Sequence, residues 1–120
     1  MVLRLLGYAV SHAQVVRGRG KNHVATLAYR DGKVATMNLI GDEAVGGAFF
    51  HLSVIGAKGR IDQTIQTMPY AESMYYPGVR SFVRMFKTGK STDTAETMLG
   101  AVAVLEALQK SIVAKGRVAV

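Results

Sequence analysis

Residues 23–40 read HVATLAYRDGKVATMNLI, and the fold class turns on them. From His23 to Arg30 the side chains alternate: His23, Ala25, Leu27 and Tyr29 share one face, and Val24, Thr26, Ala28 and Arg30 the other. That is the period of a β-strand. Lys33 to Ile40 forms a second β-rich run. Between the two stands Asp31-Gly32, a pair that takes positive φ at low cost and that, in this setting, predicts a hairpin. Working outward, Val10 to Arg17 predicts a strand that closes in the loop Gly18-Arg19-Gly20-Lys21. On the other side a loop through Gly41-Asp42-Glu43 and Gly46-Gly47 leads to a strand over Phe49 to Ile55. Gly56-Ala57-Lys58-Gly59 then turns the chain into Arg60 to Thr67, a second hairpin with a longer loop. Both faces of these strands carry apolar residues, so one face is expected to meet helices and the other a partner sheet.

The apolar period changes once, near Tyr75, from that of strands to that of helices. Pro77 and Gly78 open the helical half. Val79, Phe82, Val83 and Phe86 fall at i, i+3, i+4 and i+7, one stripe of a helix that ends near Gly89. Arg80, Arg84 and Lys87 lie off that stripe, Lys87 in the last turn, where a cation complements the helix dipole. Asp93 fits an N-cap, with Glu96 three residues on. Ala95, Met98, Leu99, Val102, Leu105, Leu108 and Ile112 continue at helical spacing to a stop at Gly116, with Met85 and Met98 at expected core positions. Arg117 to Val120 is a β-like tail able to add a strand. The expected fold is α+β: an open, mainly antiparallel sheet with helices on one face.

The chain has 120 residues, enough for one domain and too few for two ordinary cores. Fifteen Lys and Arg against eight Asp and Glu leave a net charge of +7. With no Cys, a disulfide framework, a thiolate zinc site and a cysteine nucleophile are all excluded. No run reaches the ~18–20 consecutive apolar residues of a membrane span, and Met1 to Val10 is too short in apolar residues for a signal peptide. The expected setting is the cytoplasm, with no membrane partner.

Motifs that carry chemistry are sparse. Arg17-Gly18-Arg19-Gly20-Lys21 gathers three cations among glycines, but no helix pattern follows to supply amide donors to a phosphate, so it reads as a solvated loop. His12, His23 and His51 match no helical ligand spacing and read as ordinary sheet histidines. Of the acids, Asp31 is accounted for by a turn and Asp93 with Glu96 by a cap, while Asp42-Glu43 sits in a Gly-flanked loop. No Gly-x-Ser-x-Gly elbow is present, and no nucleophile, base and orienting group assemble along the chain. Tyr70, Tyr75, Tyr76 and Arg80 cluster at the junction of the two halves. Tyrosines offer stacking area with one polar tip, which suits a polyol or sugar-like ligand, although covering a sheet edge with hydroxyls in water is the better expectation.

Phe82-Val83-Arg84-Met85-Phe86-Lys87-Thr88-Gly89-Lys90, followed by Glu96, Met98, Leu99, Ala103, Val104, Leu105, Glu106, Ala107 and Ser111, resembles the closing helices of the Gfo/Idh/MocA oxidoreductases. Val54-Ile55-Gly56-Ala57-Lys58-Gly59-Arg60-Ile61 is similar to that family's strand–turn–strand segment, and Arg117-Val118 to the strand that closes its domain. Leu3-Arg4-Leu5-Leu6-Gly7 resembles the end of the helix that leads into the sheet domain. The likeness spans almost the whole chain but only the C-terminal half of a family member.

What the resemblance implies follows from what is matched. The family's dinucleotide-binding domain, with its Gly-x-Gly-x-x-Gly turn, has no counterpart here, nor has its Glu-Lys-Pro motif. Its Asp-x-x-x-His motif precedes the helix end that Leu3 to Gly7 resemble. No position inherits a catalytic or cofactor-binding role. The chain is expected to be a detached sheet domain over residues 1–120, inactive alone, with NAD or NADP bound only by the full-length parent. It would form a homodimer through the free sheet face and line the pocket for a sugar or polyol, with Tyr75, Tyr76 and Arg80 as substrate contacts. The net charge of +7 motivates a different expectation, a small basic module for nucleic acid or another polyanion. Against that, the cations are spread along the chain and no strand carries aromatics of the RNA-recognition type, so nucleic acid is the less expected partner.

Overall fold

The computed structural model describes residues 2–41, 50–65, 76–91 and 93–120; Tyr70, Tyr75 and the Asp42-Glu43 loop lie outside them. The chain divides into two compact units, Met1–Gly41 with Asp93–Val120, and Asp42–Thr92.

The first unit is an antiparallel sheet under one long helix. A short helix α1 (Val2–Leu6) leads into β1 (Val10–Arg17), β2 (His23–Tyr29) and β3 (Val34–Leu39). With the closing strand β6 (Val118–Ala119) the order is β3-β2-β1-β6. The tail thus adds the strand its sequence suggested, pairing His12 with Ala119 and Ala13 with Val118. The helix over Ala95–Ala114, α3, packs on β1 and β6. Between sheet and helix lies the core of Val10, Ala13, Leu27, Tyr29, Val104 and Ala107.

The first hairpin forms where Asp31-Gly32 predicts it but in the three-residue form. The Gly32 amide donates to the Tyr29 carbonyl at 3.2 Å and the Tyr29 amide to the Lys33 carbonyl at 2.9 Å, with Arg30, Asp31 and Gly32 as the loop. Only Gly32 takes positive φ, at 87°. A first turn of ordinary hand followed by one left-handed residue closes a three-residue loop, so Asp31 is spared the strain a two-residue turn would impose. Its carboxylate instead accepts from the Lys33 amide at 3.3 Å and pairs with the Lys33 ammonium at 2.7 Å.

On α3 the structure overturns the expected core stripe. Met98, Leu99, Val102 and Leu105 are 55–68% exposed, and the face against the sheet is Val104, Ala107 and Ser111. The helix is apolar nearly all round, so period alone could not select its inner side. Small side chains select it, because they let the helix lie close to β1. Gly100 makes room in the same way for the Tyr8 ring, whose Cδ1 would stand 3.2 Å from a Cβ at that position. By length and composition α3 is also long and apolar enough to cross a membrane. The run of consecutive apolar residues misses this because Glu106 and Lys110 interrupt it; they pair with each other at 2.7 Å.

Both ends of α3 differ from expectation by a residue. Thr94, not Asp93, is the N-cap, its hydroxyl accepting from the Thr97 amide at 3.2 Å. Asp93 is drawn off by Arg4 at 2.9 Å, which ties the start of α3 to α1. At the other end the left-handed residue is Lys115 (φ 53°), one position before Gly116.

Ser111 solves a specific problem. The β6 strand has only two residues, and in continued register Gly116 would face Val15. There the chain leaves the ladder, and Ser111 takes its place: its hydroxyl accepts from the Val15 amide at 2.8 Å and donates to the Gly116 carbonyl at 2.5 Å. Fully buried, it satisfies two backbone groups that would otherwise lack partners.

The free face of the sheet is mixed. Gln14, Thr26 and Thr36 align across β1, β2 and β3 as a polar row, flanked by Val16 and Val24 on one side and Ala28 and Val34 on the other. Val16, Val24 and Val34 are 40–63% exposed.

The second unit contains β4 (Phe50–Gly56) and β5 (Gly59–Ile65), a two-stranded antiparallel ribbon, and helix α2 (Tyr76–Thr88). Its hairpin has a two-residue tip, Ala57-Lys58, shorter than expected because Gly56 and Gly59 pair across it. Pro77 stands in the first turn of α2, where a missing N–H costs nothing, and Gly89 ends it in the left-handed region at φ 65°.

Candidate functional site

Two of the three expected ligand contacts come together on α2. Tyr76 is its first residue, 62% exposed, and Arg80 follows one turn later. Both line a concavity of about 710 Å³ whose described wall is α2, continued by Arg84 and Lys87. That volume lies within the range of small-ligand sites. Tyr75 is outside the described residues. From the sequence Arg84 and Lys87 are expected only to lie off the apolar stripe, Lys87 complementing the helix dipole. The signal for them was present in their spacing, since Tyr76, Arg80, Arg84 and Lys87 follow at intervals of four, four and three.

The apolar stripe of α2 is as expected in position; its Val83 also lines the concavity, and the stripe is not covered among the described residues. Val79, Phe82, Val83 and Phe86 are 43–71% exposed, and the Phe82 and Phe86 rings meet edge to face at 4.8 Å between centroids.

The ribbon assembles a polar cluster that the linear order of residues concealed. His51 Nε2 lies 3.3 Å from an Asp62 carboxylate oxygen, and His51 Nδ1 lies 3.3 Å from the Thr64 hydroxyl. Cross-strand register causes this, because His51 faces Thr64 and Ser53 faces Asp62 on one side of the ribbon. Arg60 also pairs with Asp62. A hydroxyl, an imidazole and a carboxylate in a line are the elements of base-assisted attack. Here the hydroxyl belongs to an exposed strand, and Asp62 is shared with Arg60. The cluster therefore reads as a cross-strand ion-pair network of a solvated face.

The remaining candidates are structural. Gly18 to Asn22 closes the β1–β2 hairpin, the Gly18 amide donating to the Asn22 carbonyl at 2.8 Å; the Asn22 side chain then accepts from the Gly41 amide at 2.9 Å. A smaller hollow of about 390 Å³ lies beside it, with Arg17, Asn22, His23 and Asn38 in its wall. His23 Nδ1 is 2.8 Å from the Lys21 carbonyl. His12 stands half-buried on β1, facing Ala28 and Ala119. Among the described residues no group of three potential metal ligands assembles.

Burial raises the Tyr29 phenol above its ordinary range, hydrogen bonds from Lys33 lower the Asp31 carboxyl, and the hydrogen bond and charge of Lys110 lower that of Glu106. Set against protein-family models, curated proteins and solved structures, the chain has no match.

Proposed function

We propose that this chain is the substrate-binding and oligomerisation domain of an NAD(P)-dependent oxidoreductase acting on sugars or polyols in the cytoplasm, and that it is catalytically silent by itself. The observation that carries the reading is the pairing of Tyr76 and Arg80 on one wall of a ligand-sized concavity. It is supported by the α+β build, in which an open antiparallel sheet has a helix on one face and an exposed second face. On this reading Tyr75, Tyr76 and Arg80 contact the substrate, the free sheet face forms a homodimer, and NAD or NADP belongs to another domain of the parent enzyme.

Calorimetric or fluorescence titration of the chain with NAD(H) tests this, together with sedimentation. The expected result is no cofactor binding and a dimer. Measurable NAD(H) binding by the chain alone, or a monomer at all concentrations, overturns it. The alternative of a basic polyanion-binding module is favoured by the exposed cations of the β1–β2 loop, Arg17, Arg19 and Lys21. It predicts retardation of DNA or RNA that weakens steeply with salt.

A further inference from the structure

We propose that the ligand received on α2 is an anion, a sugar or polyol bearing a phosphate or carboxylate group, and that Arg80, Arg84 and Lys87 hold its charge beside the Tyr76 ring. This rests on the substrate-domain reading above and specifies its substrate class.

Geometry is the first support. At 100° per residue, Arg80, Arg84 and Lys87 fall within about 60° of arc, and the seven steps from Arg80 to Lys87 span about 10 Å along the axis. Tyr76 falls at the edge of the same arc. All four line the one concavity.

Charge is the second. The sequence places no acid between Glu72 and Asp93, a stretch that holds Arg80, Arg84, Lys87 and Lys90. Among the described residues none of the three arc cations has a carboxylate partner, and the described acid of this unit, Asp62, is taken by Arg60 and His51. Among the described residues no carboxylate therefore offsets their charge.

Hydrogen-bond chemistry is the third. Arg and Lys donate and never accept. A neutral polyol offers hydroxyls that both donate and accept, and a wall made for it supplies carboxylates or amide carbonyls as well as donors. Two hydroxyls, Ser81 and Thr88, share the wall; that of Thr88 donates to the Arg84 carbonyl at 2.9 Å and accepts from the Lys90 amide at 3.3 Å. Three fixed cations on a largely apolar wall, with no carboxylate partner among the described residues, suit a ligand that is itself negative and has an apolar face.

The test titrates the chain by calorimetry with glucose 6-phosphate, gluconate, glucose and inorganic phosphate, at low and at physiological salt. The Arg84→Gln variant goes alongside, with Lys115→Gln as a control in the other unit. Expected are binding of glucose 6-phosphate or gluconate at least roughly tenfold tighter than glucose, weakened roughly tenfold by Arg84→Gln, the size of one lost charge-assisted hydrogen bond. Lys115→Gln should leave it unchanged.

Glucose bound as tightly as its phosphate and indifferent to Arg84→Gln would overturn the anionic class while leaving the sugar-domain reading intact. Inorganic phosphate bound as tightly as glucose 6-phosphate would overturn the sugar moiety. Binding of a homopolymeric RNA with a steep salt slope, weakened by Arg84→Gln, would replace the small ligand with a polyanion. No binding of any probe also overturns the proposal, whereas the domain reading itself stands or falls on the NAD(H) and sedimentation experiments.

Discussion

The two units spend their apolar residues in opposite ways. In the sheet unit, Leu27, Ala13, Ala25 and Val104 are at most 3% exposed. In the other unit the phenylalanines and valines of α2, and Ile55 and Ile61 of the ribbon, are 43–80% exposed. A side chain contributes to stability in proportion to the surface it removes from water. The closed core among the described residues is therefore that of the first unit, while the α2 stripe, like the outer side of α3 and the free sheet face, leaves apolar surface for contacts to other molecules.

The largest effect that would break this contrast is a truncation in each unit. Leu27→Ala should cost about 2–5 kcal/mol in denaturant unfolding, since it leaves a cavity in a closed core. Phe86→Ala, at 71% exposure, should cost under about 0.5 kcal/mol. Equal losses would mean that the α2 stripe is buried in solution.

Ser111→Ala should cost about 1–3 kcal/mol although it removes a single oxygen, because the Val15 amide and Gly116 carbonyl lose their partner together. Hydrogen exchange of the Val15 amide is the direct readout, and it should accelerate more than its neighbours.

A gain is expected at the end of α3. Lys115 carries a left-handed backbone that glycine adopts without strain, so Lys115→Gly should stabilise by about 1 kcal/mol.

The smallest effects are those of pH. Tyr29 has a raised phenol, so its contribution to stability is complete below the ordinary tyrosine range and is lost as pH rises through the folded-state value. Its hydroxyl is buried without a partner among the described residues. Tyr29→Phe should therefore be neutral or stabilising by up to about 1 kcal/mol at neutral pH and should flatten the alkaline loss. The lowered carboxyls of Asp31 and Glu106 act with the opposite sign. Their small contribution is present above the ordinary carboxylate range and fades as pH falls through the depressed values, which NMR titration of the two side chains would follow.

Strands were legible in the sequence because alternation and turn residues are local. The run Val10 to Arg17 matches β1 end to end, and β2 and β3 differ from expectation by a residue or two at their ends. The helices were legible in extent, but the inner face of α3 was not. Choosing between Leu105 and Ala107 as the buried residue needs the distance between helix and sheet, which small side chains set and hydropathy does not report. Ser111 was hidden for a related reason, since its role depends on where β6 stops. At the candidate site Tyr76 and Arg80 could be named from residue chemistry alone. His51, Asp62 and Thr64 could not be joined without the register of the ribbon, which brings residues 11 and 13 positions apart into reach.

The serine inserted between Val15 and Gly116 also bears on how the molecule behaves in a crowd. A sheet border with open amides is a template on which a stray strand can zip, and β6 shields only part of the β1 border. By occupying the next amide with a hydroxyl anchored on a helix, the chain removes the foothold that a foreign strand would use first. A molecule lacking that hydroxyl would be expected to recruit copies of itself at concentrations where the parent stays dispersed.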